Sequence, residues 1–137
     1  REMAKVACAA NLSVTSIIQY AALAALKGPQ NYVEEMVKEY NERRKLVTKK
    51  LKEIPGISLT EPKGAFYVFP NIEKLGIPSK ELVEHLIKDA RVLVSPGYPF
   101  FGPRGKYHIR ISYTVPRDKL EIAMERIKKS IEKLSYK

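Results

Sequence analysis

The clearest pattern in the chain runs from His108 to Tyr113. Ile109, Ile111 and Tyr113 alternate with His108, Arg110 and Ser112, the period of a strand with one apolar face. Arg110 then stands mid-strand on the opposite face. Upstream, Ala65-Phe66-Tyr67-Val68-Phe69 is almost continuously apolar and predicts another strand, entered from a Pro62-Lys63-Gly64 turn. Ile57-Ser58-Leu59 and Arg91-Val92-Leu93-Val94 predict two shorter ones.

Helical periods fill most of the remainder. Residues 12 to 26 predict a helix capped by Ser13, Thr15 or Ser16 and stopped by Gly28-Pro29. From Ile17 to Leu26 only Gln19 and the Tyr20 hydroxyl are polar. A helix apolar all round has to be covered all round, so another domain or subunit is expected to cover part of it. Residues 30 to 54 predict a longer helix with Val33, Met36, Val37, Tyr40, Val47, Leu51 and Ile54 on one stripe, interrupted by Arg44 and ended by Pro55-Gly56.

A third helix, capped by Ser79, buries Leu82, Val83, Leu86, Ile87 and Ala90. The last opens at Pro116 and buries Leu120, Ala123, Met124, Ile127, Ile131 and Leu134. Between them, Ser95 to Lys106 is a turn-rich loop whose adjacent Phe100 and Phe101 predict that it folds inward over something. The order is helix, helix, strand, strand, helix, strand, strand, helix. It fits an α+β fold: a small, mostly antiparallel sheet packed with helices, mainly on one side.

With 137 residues, the chain is about one domain with a real core. Its single cysteine, Cys8, excludes an internal disulfide framework and a cysteine-rich zinc site; in Ala-Cys-Ala-Ala it reads as a small apolar residue, and the low cysteine usage suits a reducing cytosol. No stretch reaches the ~18 apolar residues needed to span a bilayer. The start, Arg1-Glu2-Met3-Ala4-Lys5, does not read as a signal peptide. It lacks an initiating methionine and is expected to be a cut or processed end of something longer. The net charge of +10 draws anions and keeps a nucleic-acid-binding module in play as a rival reading. The lysines, however, mix with glutamates at helical spacings, which reads as solvated helix faces.

Candidate chemistry is sparse. His85 and His108 lack the paired spacing of a zinc site, and no metal ligand set is expected. There is no Gly-x-Ser-x-Gly elbow and no Walker loop. Lys63 to Phe69 superficially matches the aromatic strand of an RNA-recognition motif, but the register fails at Ala65 and Phe66 and Pro70 ends it. Arg110 remains. Planar, bidentate capture of a carboxylate or phosphate is the task for which Arg is best suited. A loose surface ion pair would produce the same spacing.

Four segments, in order, carry a resemblance. Arg1 to Leu26 is similar to the helix-leading segment that follows the coenzyme-lysine region of class I/II (fold-type I) pyridoxal-phosphate-dependent aminotransferases of the aspartate/aromatic group. Pro62-Lys63-Gly64-Ala65-Phe66-Tyr67 resembles that family's P-x-G-[AG]-[FM]-[FY] strand. Val92 to Gly102 resembles its V-x-x-x-P-G-x-x-F-G loop, and Ile109-Arg110-Ile111-Ser112 its final R-[IL]-[SC] strand. The likeness spans essentially the whole chain.

The resemblance implies a C-terminal small domain over residues 29 to 137, with residues 1 to 28 forming a helix and connector from the large domain. It implies that Arg110 binds the substrate α-carboxylate, that the Gly97–Gly102 loop lies near the site entrance, that Phe66 lies close to the substrate side chain or in the core, and that Ser16 and its neighbours lie near a dimer contact. The expected partners are a missing N-terminal large domain, amino-acid and 2-oxo-acid substrates, and a second subunit of a cytoplasmic homodimer. Neither nucleic acid nor membrane is expected as a partner. The coenzyme would be pyridoxal 5'-phosphate, held by the large domain. No residue here is expected to be catalytic or to bind the coenzyme, because no lysine sits in the family's serine-rich lysine motif. The isolated chain is expected to be inactive. A non-transaminating enzyme on the same scaffold remains an alternative.

Overall fold

The computed structural model describes residues 1–10 and 13–134. The chain forms two compact units, Arg1–Met36 and Val37–Lys137.

The first unit holds α1 (Glu2–Ala10), α2 (Ser16–Lys27) and the start of α3 (Asn31–Lys52). The sequence pattern did not predict α1, whose alanines give no stripe; a Lys5–Glu2 pair at 3.1 Å spans its first turn. The predicted side-chain cap of α2 is not made. Thr15 occupies the N-cap position without a side-chain bond, and Ser16 is already helical. The Gln19 side-chain amide nitrogen donates to the Val14 carbonyl at 2.7 Å, and the Gln19 backbone N–H donates to the Thr15 carbonyl at 3.1 Å as the first intrahelical bond. Leu12, where the helix was expected to begin, lies outside the described residues. No residue of α1 or α2 is buried. Ile17 and Leu26 are 82% and 80% exposed.

The second unit is built on a three-stranded antiparallel sheet of β1 (Tyr67–Val68), β2 (Ser95–Pro96) and β3 (Ile109–Ser112), in spatial order β1-β3-β2. The registers are Tyr67↔Ser112 and Val68↔Ile111 on one side, and Ser95↔Arg110 and Pro96↔Ile109 on the other. The strand holding the alternating pattern is therefore the central one. Its apolar face, Ile109, Ile111 and Tyr113, is buried with Val68.

Helices cover that face. The C-terminal half of α3 brings Val47 and Leu51, with Ile54 just beyond its end; α4 (Ser79–His85) brings Leu82 and Val83; α6 (Arg117–Leu134) brings Leu120, Met124, Ile127 and Ile131. Each fully buried Leu or Ile side chain contributes about 1.5–3 kcal/mol. An ion-pair knot fixes α3 against the start of α6. Glu39 accepts from both Arg43 and Arg117, and Arg43 also donates to the Thr114 carbonyl at 2.6 Å. These bonds, Arg117 first, hold the Glu39 carboxyl down from 4.5 to about 2.

Several expectations shift. The strand expected over residues 65–69 shrinks to Tyr67–Val68, and Ile87, expected on a buried face, is exposed. Ile57–Leu59 is not a strand; Ser58 alone bridges Asn71, through bonds of 3.0 and 2.7 Å. Arg91–Val94 is not one either. After α4 the helix widens into a π turn, Leu86–Ala90, closed by Arg91 at φ 55, and ladder pairing starts only at Ser95. Ser79 is not a cap. It is buried as the first residue of α4, and its hydroxyl donates to the Gly105 carbonyl at 3.3 Å. That bond ties α4 to the glycine-rich loop instead.

Candidate functional site

The sheet's other face carries Arg110. The register puts Arg110 across from Ser95, with Tyr67 on the neighbouring strand beside Ser112. The rigid central strand fixes where the guanidinium starts. What surrounds it is aromatic rather than acidic. Its Cζ lies over the Phe100 ring at 3.9 Å from the centroid and over the Tyr67 ring at 4.5 Å. Among the described residues, no carboxylate lies within ion-pair distance of it and no hydrogen bond engages it. Half-buried, it keeps its N–H donors free. A cation held by π faces rather than by an acid is a cation left available for an incoming anion.

Phe100 comes from α5 (Tyr98–Phe101), a single helical turn in the loop after β2. The loop is pinned hard. Gly97 donates to the His108 carbonyl at 2.7 Å, and Phe100 and Phe101 donate back to Gly97 at 3.0 and 3.1 Å. Gly97 and Gly105 touch backbone to backbone: a Cβ on Gly105 would stand 2.3 Å from Gly97, and one on Gly97 2.7 Å from the Gly105 carbonyl oxygen. Only glycine permits that approach. Behind the loop, His108 stacks on Phe69 with centroids 4.9 Å apart and planes 9° from parallel, and Phe69 meets Phe101 at 4.9 Å. His108 thus serves as packing, and Asn71 lies 3.4 Å from its Nε2.

The loop folds inward as predicted, and the thing it folds over is Arg110. The family resemblance placed the loop near the site entrance; the direct contact of Phe100 with Arg110 was not read from the sequence. Phe66 is not in the core: it is 40% exposed and packs on Tyr67 at 4.6 Å and Tyr40 at 6.1 Å. His85 and His108 are both half-buried. Cys8 is free and exposed. Among the described residues no cluster of potential metal ligands occurs, and no helix is long and apolar enough to cross a membrane.

The fold and this face define a small α+β domain that presents an unpaired, aromatic-flanked guanidinium from its central strand. Residues 2–127 match the family described as aminotransferase class I and II, and the chain belongs to that family. It is 48% identical to an aspartate aminotransferase of Pyrococcus horikoshii over 96% of this chain and 34% of that protein. It is 47% identical to aromatic-amino-acid aminotransferase 2 of Thermococcus litoralis, over 85% of the chain and 30% of the relative. The crystal structure of an aromatic aminotransferase from Pyrococcus horikoshii OT3 superposes with a TM-score of 0.81 at 48% identity, covering 86% of this chain and 32% of that one. The chain spans about a third of the length of the curated relatives it matches.

Pyridoxal phosphate is the coenzyme the family implies. The residues described do not fit it. A Schiff-base lysine needs a desolvated or cation-flanked setting that lowers its pKa. No described lysine is buried. Lys50, half-buried, is shifted the other way, because Glu125 accepts from it at 2.7 Å and holds its proton. Among the described residues, none offers the setting such a lysine requires.

Proposed function

We propose that this chain is the C-terminal small domain of a pyridoxal-phosphate-dependent aminotransferase, with Arg110 receiving the substrate α-carboxylate. Residues 29 to 137 form that domain, and residues 1 to 28 are the connector from an N-terminal large domain. The observation that carries the reading is the free guanidinium of Arg110, on a rigid strand, in a member of the aminotransferase family. A carboxylate bound side-on to a guanidinium is fixed in position and in plane. That orients the amino acid, or the 2-oxo acid in the return half-reaction, and turns away amines that lack the group.

The loop from Gly97 to Gly102 sits over the same guanidinium and would exclude water from the bound carboxylate. Coenzyme, catalytic lysine and proton transfer belong to the large domain. The isolated chain should then neither retain pyridoxal phosphate nor transaminate. In the whole enzyme, a cytoplasmic homodimer, Ser16 and its neighbours lie near the subunit contact; neither nucleic acid nor membrane is a partner.

The test is Arg110→Lys in the full-length enzyme, assayed with aspartate and with phenylalanine as amino donors. Loss of the bidentate fork should lower kcat/KM about a hundredfold or more, equivalent to ~2.7 kcal/mol. Unchanged kcat/KM for both donors would refute the assignment.

A further inference from the structure

We infer that Phe100 and Tyr67 are positioning residues that hold the Arg110 guanidinium in its receiving orientation; the inference rests on Arg110 being the carboxylate receiver. An arginine side chain has several rotatable bonds, and a free one loses much conformational entropy when a ligand fixes it. Hydrogen bonds or an acid partner would hold it, but would occupy the donors the ligand needs. Two π faces avoid that conflict. Phe100 at 3.9 Å and Tyr67 at 4.5 Å attract the cation without accepting a hydrogen bond from its N–H groups.

The two rings come from different places, and each is braced. Tyr67 is fixed in β1 by its pairing with Ser112 and packs on Phe66 at 4.6 Å. Phe100 depends on the loop, whose course is set by the Gly97–Gly105 backbone contact and by the stack of His108, Phe69 and Phe101 behind it. One ring therefore belongs to the sheet and the other to a loop that closes over the cation. Phe100 is exposed and lies outside the core, with its ring over the guanidinium.

The measurement is steady-state kinetics of the full-length enzyme carrying Phe100→Leu, Tyr67→Leu, Phe100→Tyr or Arg110→Lys, with melting temperatures recorded for each. Removing one ring should raise KM for the amino donor and for the 2-oxo acid together, by about three- to thirtyfold, the range expected of a partly desolvated cation–π contact. The change in kcat should be smaller than the change in KM. Phe100→Tyr, which restores a ring, should recover most of the lost affinity, a recovery that tracks the π face rather than thermal stability. If Arg110→Lys is impaired while both ring removals leave KM unchanged, the clamp is overturned and the carboxylate reading stands. If Arg110→Lys is unimpaired as well, both fall. A loss that Phe100→Tyr fails to rescue, accompanied by a lowered melting temperature, also overturns the clamp, since it marks a structural role only.

Discussion

Arg1–Met36 and Val37–Lys137 obey opposite rules. In the second unit most apolar residues at helical and strand periods are buried: Leu51, Ile72, Leu86, Ile109 and Ile127 are fully enclosed, with Ile87 and Leu93 as exceptions. In the first, α2 is richer in apolar residues than any helix of the second unit, yet none of them is covered. Apolar content thus does not by itself say where a core lies. In the second unit the pattern is amphipathic and self-sufficient. The uniform pattern of α2 asks for cover, and none of its residues is buried.

Core truncation tests that contrast most forcefully. Leu51→Ala should destabilise the chain by about 2–5 kcal/mol in denaturant unfolding, because Leu51, on α3, is fully enclosed in the core cluster. A cost below ~1 kcal/mol would mean that the second unit is loosely packed.

Acid titration probes the same unit more gently. A carboxyl whose native pKa is about 2, against an ordinary 4.5, contributes stability that is fully present above pH 4.5 and is lost as the pH falls toward 2. The melting temperature of Glu39→Gln should therefore lie below that of the unaltered chain at neutral pH, and the gap should close between pH 4.5 and 2. A gap independent of pH would deny the Arg117–Glu39–Arg43 knot any role. The smallest effect belongs to the first unit. Ile17→Ala should alter the stability of this chain by no more than about 0.5 kcal/mol, whereas the same change in the full-length protein should cost considerably more. Equal costs in both would show that nothing covers α2.

The sequence displayed the second unit well and the first unit less well, for physical reasons. The strict alternation around Arg110 reflects a strand buried on one face only, so it was legible residue by residue. The same was true of α6, with its single apolar stripe. Arg91–Val94 misled because branched apolar residues suit a strand, while a left-handed Arg91 and the preceding π turn delay pairing until Ser95. Ser79 misled because its hydroxyl found a tertiary acceptor, Gly105, in place of its own helix. The candidate site was half legible. Arg110 was singled out by its strand position and given its expected role by the family resemblance, but the ring of Phe100 reaches it only through a loop held by two touching glycines. Such contacts lie in tertiary geometry that no local pattern encodes.

A crystal structure of the full-length protein with an amino acid bound tests the proposed role of Arg110 most directly. Both α-carboxylate oxygens should lie about 2.7–2.9 Å from the Arg110 guanidinium nitrogens in a side-on pair. A substrate whose α-carboxylate is held by another cation, with Arg110 left facing solvent, would contradict the account.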